Sequence, residues 1–192
     1  MKSYLPAEQH YICEAAESLG IEAKVVQHES PTVTCKEKAE LLGWPEDQVI
    51  KTVYFKRGGD VIGVVSPGSA RIDIEEVISG ALPDVSRKQA RNYVPNFIPS
   101  GMMKGTCTPF PYETCMFFEI NRLIVCDCPS IDDKVVDISV GGCDDDALKT
   151  SMHLPYGAIY SILSEKFEDQ VFKFIPKEVD EYESGFAGRL RA

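Results

Sequence analysis

The stretch "DQVIKTVYFK", residues 47–56, decides how this chain folds. Its Val, Ile, Tyr and Phe favour a pleated, half-buried strand. "KRGGD", 56–60, then reads as a hairpin turn and "VIGVVS", 61–66, as the returning strand, so the two are expected to pair antiparallel. One residue stands out. Side chains alternate along a strand, so Lys51 shares a face with Val49, Val53 and Phe55, while Ile50, Thr52 and Tyr54 take the other. Its stem could pack on the apolar face while the ammonium snorkels to the sheet edge. Alternatively, it lines a cavity and offers charge to an anionic ligand or to a developing oxyanion.

Outward from this hairpin, the chain reads as short helices interleaved with strands. Residues 6–19 place Ile12, Ala15, Ala16 and Leu19 on one helical face, with Pro6 early and Gly20 at the stop. "IEAKVVQ", 21–27, reads as a strand; "TCKE", 34–37, has the order of a capping box, and Gly43 closes the helix it opens. "DIEE" (73–76) and "SRKQ" (86–89) are further cap-like helix starts, and "YVPNFIPSGMMKG" (93–105) is too rich in Pro and Gly for a regular element. "ETCMFFEI" (113–120), "RLIVCDC" (122–128) and "KVVDISV" (134–140) read as strands. "DDDALKTSM" (144–152) reads as a short helix, "PYGAIYSILSEKF" (155–167) as a helix, and the C-terminal stretch from 169 adds one strand. The expected fold is mixed α/β: a curved, mainly antiparallel sheet or partial barrel surrounded by short helices.

With 192 residues and 44% hydrophobic content, one domain spanning 1–192 is expected. No apolar run is long enough to span a bilayer and the first residues lack the order of a secretory signal, so a cytoplasmic chain without a membrane partner is expected. Seven cysteines then read as reduced thiols. Cys126 and Cys128 are spaced Cys-x-Cys, with Cys107 and Cys115 nearby, but no paired Cys-x-x-Cys knuckles occur, so neither a metal nor another cofactor is expected. Nothing local pairs His10, His28 or His153 with a particular thiol as a hydrolytic dyad.

A net charge of −10 argues against a general polyanion binder. Yet between Asp84 and Glu113 lies no acid at all, while Arg87, Lys88, Arg91 and Lys104 make a local positive strip with Tyr93 and Phe97 in its central loop. This is either a solvated face over the core or a docking site for phosphate and an unstacked base. Asp137, alone among apolar residues in "KVVDISV", is either an edge residue or a pocket acid that meets Lys51 from a neighbouring strand.

Four segments together, "HESPTVTCKEKAELLGWPEDQVIKTVYF", "GDVIGVVSPGSARIDIEEV", "NYVPNFIPSG" and "RLIVCDCPSIDDKVVDISVGGCDDDAL", resemble the YbaK and ProX family of aminoacyl-tRNA deacylases. That family is related to the editing insertion domain of prolyl-tRNA synthetase, and the similarity runs from about residue 8 to residue 165. The resemblance implies hydrolysis of the ester joining a wrong amino acid to the 3′ end of a tRNA, with tRNA and a synthetase as partners. It makes Lys51 the functional lysine and Asp137 an acid of the same pocket, both catalytic, and it places Thr52 and the loop Asn96, Phe97, Ile98, Pro99, Ser100 and Gly101 at the substrate. The strip of Arg87, Lys88, Arg91 and Lys104 then binds the tRNA. Two departures stand: Asn96 and Ser100 occupy the glycine and proline positions of the family's Gly-x-x-x-Pro loop, with Pro99 one place early, and Val26 sits where some members have a tyrosine. Attack on such an ester builds charge on the carbonyl oxygen, which a preorganised ammonium and backbone N–H groups stabilise. No protein nucleophile is evident, so water or a group of the substrate attacks, with Asp137 orienting Lys51 or the substrate's amine. A compact pocket selects a small side chain such as Ala, Cys, Ser or Thr on tRNA(Pro). The alternative is a non-catalytic module of the same fold that binds tRNA or a synthetase.

Overall fold

The computed structural model describes Leu5 and residues 9–176. Among the described residues, eight strands form one open sheet: β1 Lys24–Gln27, β2 Val49–Arg57, β3 Asp60–Pro67, β4 Val94–Phe97, β5 Arg122–Cys126, β6 Val135–Ser139, β7 Thr150–Pro155 and β8 Val171–Phe174. Their order is β1-β7-β6-β2-β3-β5-β8, with β4 alongside β2. The hairpin β2–β3 pairs antiparallel over its whole length, from Arg57↔Asp60 to Ile50↔Pro67. β1–β7, β6–β7 and β2–β4 are also antiparallel, whereas β2–β6, β3–β5 and β5–β8 are parallel. The sheet is therefore mixed, as the interleaved helices require, because parallel neighbours need long crossovers.

Helices cover both faces. α1 His10–Ser18, α5 Glu113–Phe118 and α7 Ala158–Phe167 pack on the face carrying Ile50, Tyr54, Val65, Leu123, Val136 and Met152. α3 Ile74–Ala81 and α4 Arg87–Ala90 cover the face carrying Phe55, Ile62, Val64 and Ile124. Two further α-helices, α2 Cys35–Leu42 and α6 Asp145–Leu148, complete the α-helices among the described residues. Burying a branched side chain of this kind contributes about 1.5–3 kcal/mol, so the two half-cores are the main hold on the sheet.

Several sequence expectations are corrected. Within the segment expected as a strand at 113–120, α5 forms over Glu113–Phe118: the apolar run 115–118 is too short to show a distinguishing period, and here Cys115 and Met116 turn inward while Phe118 is exposed. Within 93–105, residues 94–97 form β4, which tolerates Pro95 because it runs along β2 alone. Between Tyr54↔Phe97 and Phe55↔Pro95 the register slips, so Asn96 is a bulge residue, with a left-handed φ of 68°. The helix expected across 144–152 stops at Leu148, and β7 begins two residues later. Leu19 caps α1 and is exposed rather than part of its apolar face, and Tyr93 is buried, so it is no stacking platform. Pro6 and the chain after residue 176 lie outside the described residues.

One detail of topology opens the sheet. β2 pairs with β6 only at Val49 and Ile50, and with β4 only from Tyr54 onward. Among the described residues, Lys51, Thr52 and Val53 therefore have no ladder partner on that edge. The result is a slot between β6 and β4.

Candidate active site at the slot in the sheet

A cavity of about 440 Å³ fills this slot and takes residues from both sheet faces: Ile50, Thr52 and Tyr54 from one, Lys51 and Asp137 from the other. The N-terminal turn of α2 forms a second wall, bringing Cys35 and Lys38, and the segment 104–107 a third, bringing Lys104, Gly105 and Cys107. α2 is held in place by the expected capping box: the Glu37 amide donates to Thr34 Oγ1 at 3.2 Å and the Thr34 amide to Glu37 Oε2 at 3.0 Å, while Gly43 ends the helix at φ 66°. Such a cap contributes about 1 kcal/mol and fixes where Lys38 points.

Lys51 is half-buried, on the face shared with Val53 and Phe55, and borders both the cavity and a shallow groove on that side of the sheet. Its ammonium donates to the carbonyl of Gly68 at 2.9 Å and to that of Ala70. An ammonium has three N–H donors, and among the described residues these two carbonyls engage two of them. Gly68 is a glycine for steric reasons: a Cβ there would lie 2.7 Å from Glu46 O and 2.8 Å from Val49 O. Gly68→Ala is expected to cost at least about 1–3 kcal/mol in urea unfolding, and to shift the carbonyl that anchors Lys51.

Asp137 is opposite Val49 on the strand next to Lys51, but the two side chains take different partners. Asp137 Oδ2 lies 3.0 Å from His153 Nε2 and 3.3 Å from His28 Nε2. Ser151 Oγ accepts from Lys38 Nζ at 3.0 Å and is 2.8 Å from His28 Nε2. Asp137, Lys38 and Ser151 are all buried, and all three line the cavity. Burial alone would raise the Asp137 carboxyl, but the histidine hydrogen bonds and the Lys38 charge outweigh it and hold that carboxyl well below the usual range. Burial lowers the Lys38 amine, and the Asp137 charge offsets part of that. The expected role of Asp137 in orienting Lys51 is thus corrected: its partners are the half-buried imidazoles of His28 and His153 and the charge of the buried Lys38.

Sequence reasoning missed this cluster. His153 and Ser151 lie on β7, which the sequence concealed in a helix-like run, and Lys38 reads as an ordinary surface position of a short helix. A usable signal was the alternation of Ser151, His153 and Pro155 against Met152, Leu154 and Tyr156, which has the two-residue period of a strand.

Of the expected substrate residues, Thr52, Asn96, Phe97 and Ile98 line the cavity. Pro99, Ser100 and Gly101 do not: Pro99 is buried, Ser100 donates its amide to Glu119 at 2.8 Å, and Gly101 backs against the Tyr112 ring. The departure at Asn96 is conformationally mild, since asparagine enters the left-handed region more readily than other non-glycine residues. Lys104 is at the cavity, whereas Arg87, Lys88 and Arg91 are exposed on and just after α4 and do not line it; Arg91 pairs with Glu75 at 2.7 Å. Two hydroxyls in the lining, Thr52 Oγ1 and Thr32 Oγ1, are buried without a hydrogen-bond partner among the described residues. A buried hydroxyl left unsatisfied costs about 1–3 kcal/mol, a cost that a polar ligand would remove.

No family model matches the chain, and no curated protein matches it in sequence. Solved structures do match in fold. The hypothetical protein APE2540 superposes with a TM-score of 0.59 at 19% identity, covering 85% of this chain and 97% of its own. A computationally designed scaffold for presenting linear epitopes gives 0.56 at 14% identity over 90% and 97%. A candidate trans-editing enzyme for prolyl-tRNA synthetase gives 0.56 at 15% identity, covering 83% of this chain and 93% of the other. At these identities, what the chain shares with all three is the fold.

Proposed function

We propose that this chain hydrolyses the ester between a small amino acid and the 3′ end of a tRNA, with tRNA(Pro) the preferred carrier. The observation that carries the proposal is Lys51: an ammonium fixed by two carbonyls at the wall of a cavity, with a third donor not engaged among the described residues, in a lining that also carries the Thr32 and Thr52 hydroxyls. The fold likeness to a candidate trans-editing enzyme supports it. Water adds to the acyl carbon, the ester C–O bond breaks to release the free amino acid, and the ribose oxygen takes the proton that the water gives up, directly or through the neighbouring ribose hydroxyl. Charge develops on the carbonyl oxygen, where Lys51 supplies a preorganised counter-charge. The cavity volume, about 440 Å³, is at the small end for ligand sites and suits a small acyl group with its terminal nucleoside at the mouth. Hydroxyls at Thr32 and Thr52 would satisfy themselves on the substrate's amine or side chain.

Incubation with a panel of tRNAs mischarged with Ala, Cys, Ser or Thr tests this reading. Accelerated loss of the ester is expected for at least one. A binding module of the same fold would shift tRNA mobility and leave the ester's half-life unchanged.

The tRNA body would lie along α4. Replacing Arg87, Lys88 and Arg91 together with Gln is expected to weaken binding and to lower the slope of log affinity against log salt by about 2, because Arg91 is partly engaged by Glu75. An unchanged slope would remove α4 from the interface.

A further inference from the structure

We infer that His28, Asp137 and His153 form a binding site for a divalent transition-metal ion of the zinc class. Three adjacent strands converge to make it: Asp137 and His153 are directly opposed on β6 and β7, and His28 follows the last residue of β1. Two imidazole nitrogens and one carboxylate oxygen lie within 4.8 Å of one another. Two of the three separations, 3.0 Å from His153 Nε2 and 3.3 Å from His28 Nε2 to Asp137 Oδ2, are close to the roughly 3.3 Å edge of a tetrahedron with metal bonds of about 2.0–2.1 Å. Convergence on one carboxylate oxygen means that a small ion can replace the hydrogen bonds with little strand movement.

The donor set limits the ion. Two nitrogens and one oxygen suit zinc, cobalt, nickel or iron(II), whereas magnesium and calcium favour oxygen alone. Burial of Asp137 at 2% exposure removes competing water, and the Trp44 ring, 4.9 Å from that of His153, restrains the imidazole. Three protein ligands leave a coordination position, and both Asp137 and the adjacent Ser151 border the cavity. Lys38 is the competing cation: its ammonium already sits in the cluster through Ser151 and opposes a second positive charge. The site is independent of ester hydrolysis and stands or falls by its own measurement.

Cobalt(II) added to metal-free full-length protein is the probe. One ion per chain is expected, with visible absorption of an N/O site and no thiolate-to-cobalt band. His28→Gln and His153→Gln should each weaken binding by more than the about 10–100-fold that losing an outer-shell partner costs. Lys38→Met should tighten it. Zinc should also raise the melting temperature of the unaltered protein, which requires no variant to fold. The inference is overturned by absence of binding to folded protein, by a thiolate band, or by affinity unchanged in both histidine variants.

Discussion

Lys51→Ala is expected to lower the deacylation rate about 10²–10³-fold, the range that follows loss of one preorganised donor to a developing oxyanion. Stability should fall by far less in relative terms, because the lost contacts are two hydrogen bonds from a half-buried ammonium to Gly68 and Ala70, about 1.5–3 kcal/mol when charge-assisted. Lys51→Met retains the stem over Val53 and Phe55, and should restore much of the melting temperature without the rate. A rate near that of the unaltered protein would make the lysine a structural tie between β2 and the loop at 68–70.

Asp137→Ala is expected to be the most destabilising change at the site, by about 3–5 kcal/mol, because it leaves Lys38 as a buried charge without its counter-ion. Combining it with Lys38→Met should recover part of that loss in urea unfolding, since the pair is coupled. The pH dependence follows from the sign of the shift. The folded carboxyl is depressed, so its contribution is fully present above the ordinary value of about 3.9 and is lost as pH falls through the depressed one. The stability gap between the unaltered protein and Asp137→Asn should therefore hold above about pH 5 and close in stronger acid. A gap that does not shrink between about pH 5 and the lowest accessible pH would mean that the carboxylate's charge is not what stabilises the cluster.

The parts of this architecture that the sequence revealed are those fixed by local chemistry. The β2–β3 hairpin, the box of Thr34 with Glu37 and the stop at Gly43 depend on residues close in sequence, and all form as expected. What escaped detection depends on partners far along the chain. Whether "ETCMFFEI" is helix or strand is settled by what Cys115 and Met116 pack against, and the slot exists only because β6 and β4 approach β2 at opposite ends. Lys51 was recognisable as a charge out of place, but its partners are carbonyls 17 and 19 residues away rather than Asp137. The cluster of Lys38, His28, Ser151 and His153 depends on contacts such as His28 to Ser151, 123 positions apart, and Lys38 to Ser151, 113 apart, which no local pattern encodes.

The most direct measurement is an NMR titration with a non-hydrolysable 3′-alanylamide of adenosine, observing the Lys51 side-chain nitrogen and the Thr52 amide. Saturable shifts of both are expected, since the acyl group would meet the ammonium inside the slot. Binding that moves neither signal, and instead perturbs only the groove of Arg71, Tyr93 and Pro95, would contradict an ester site at Lys51.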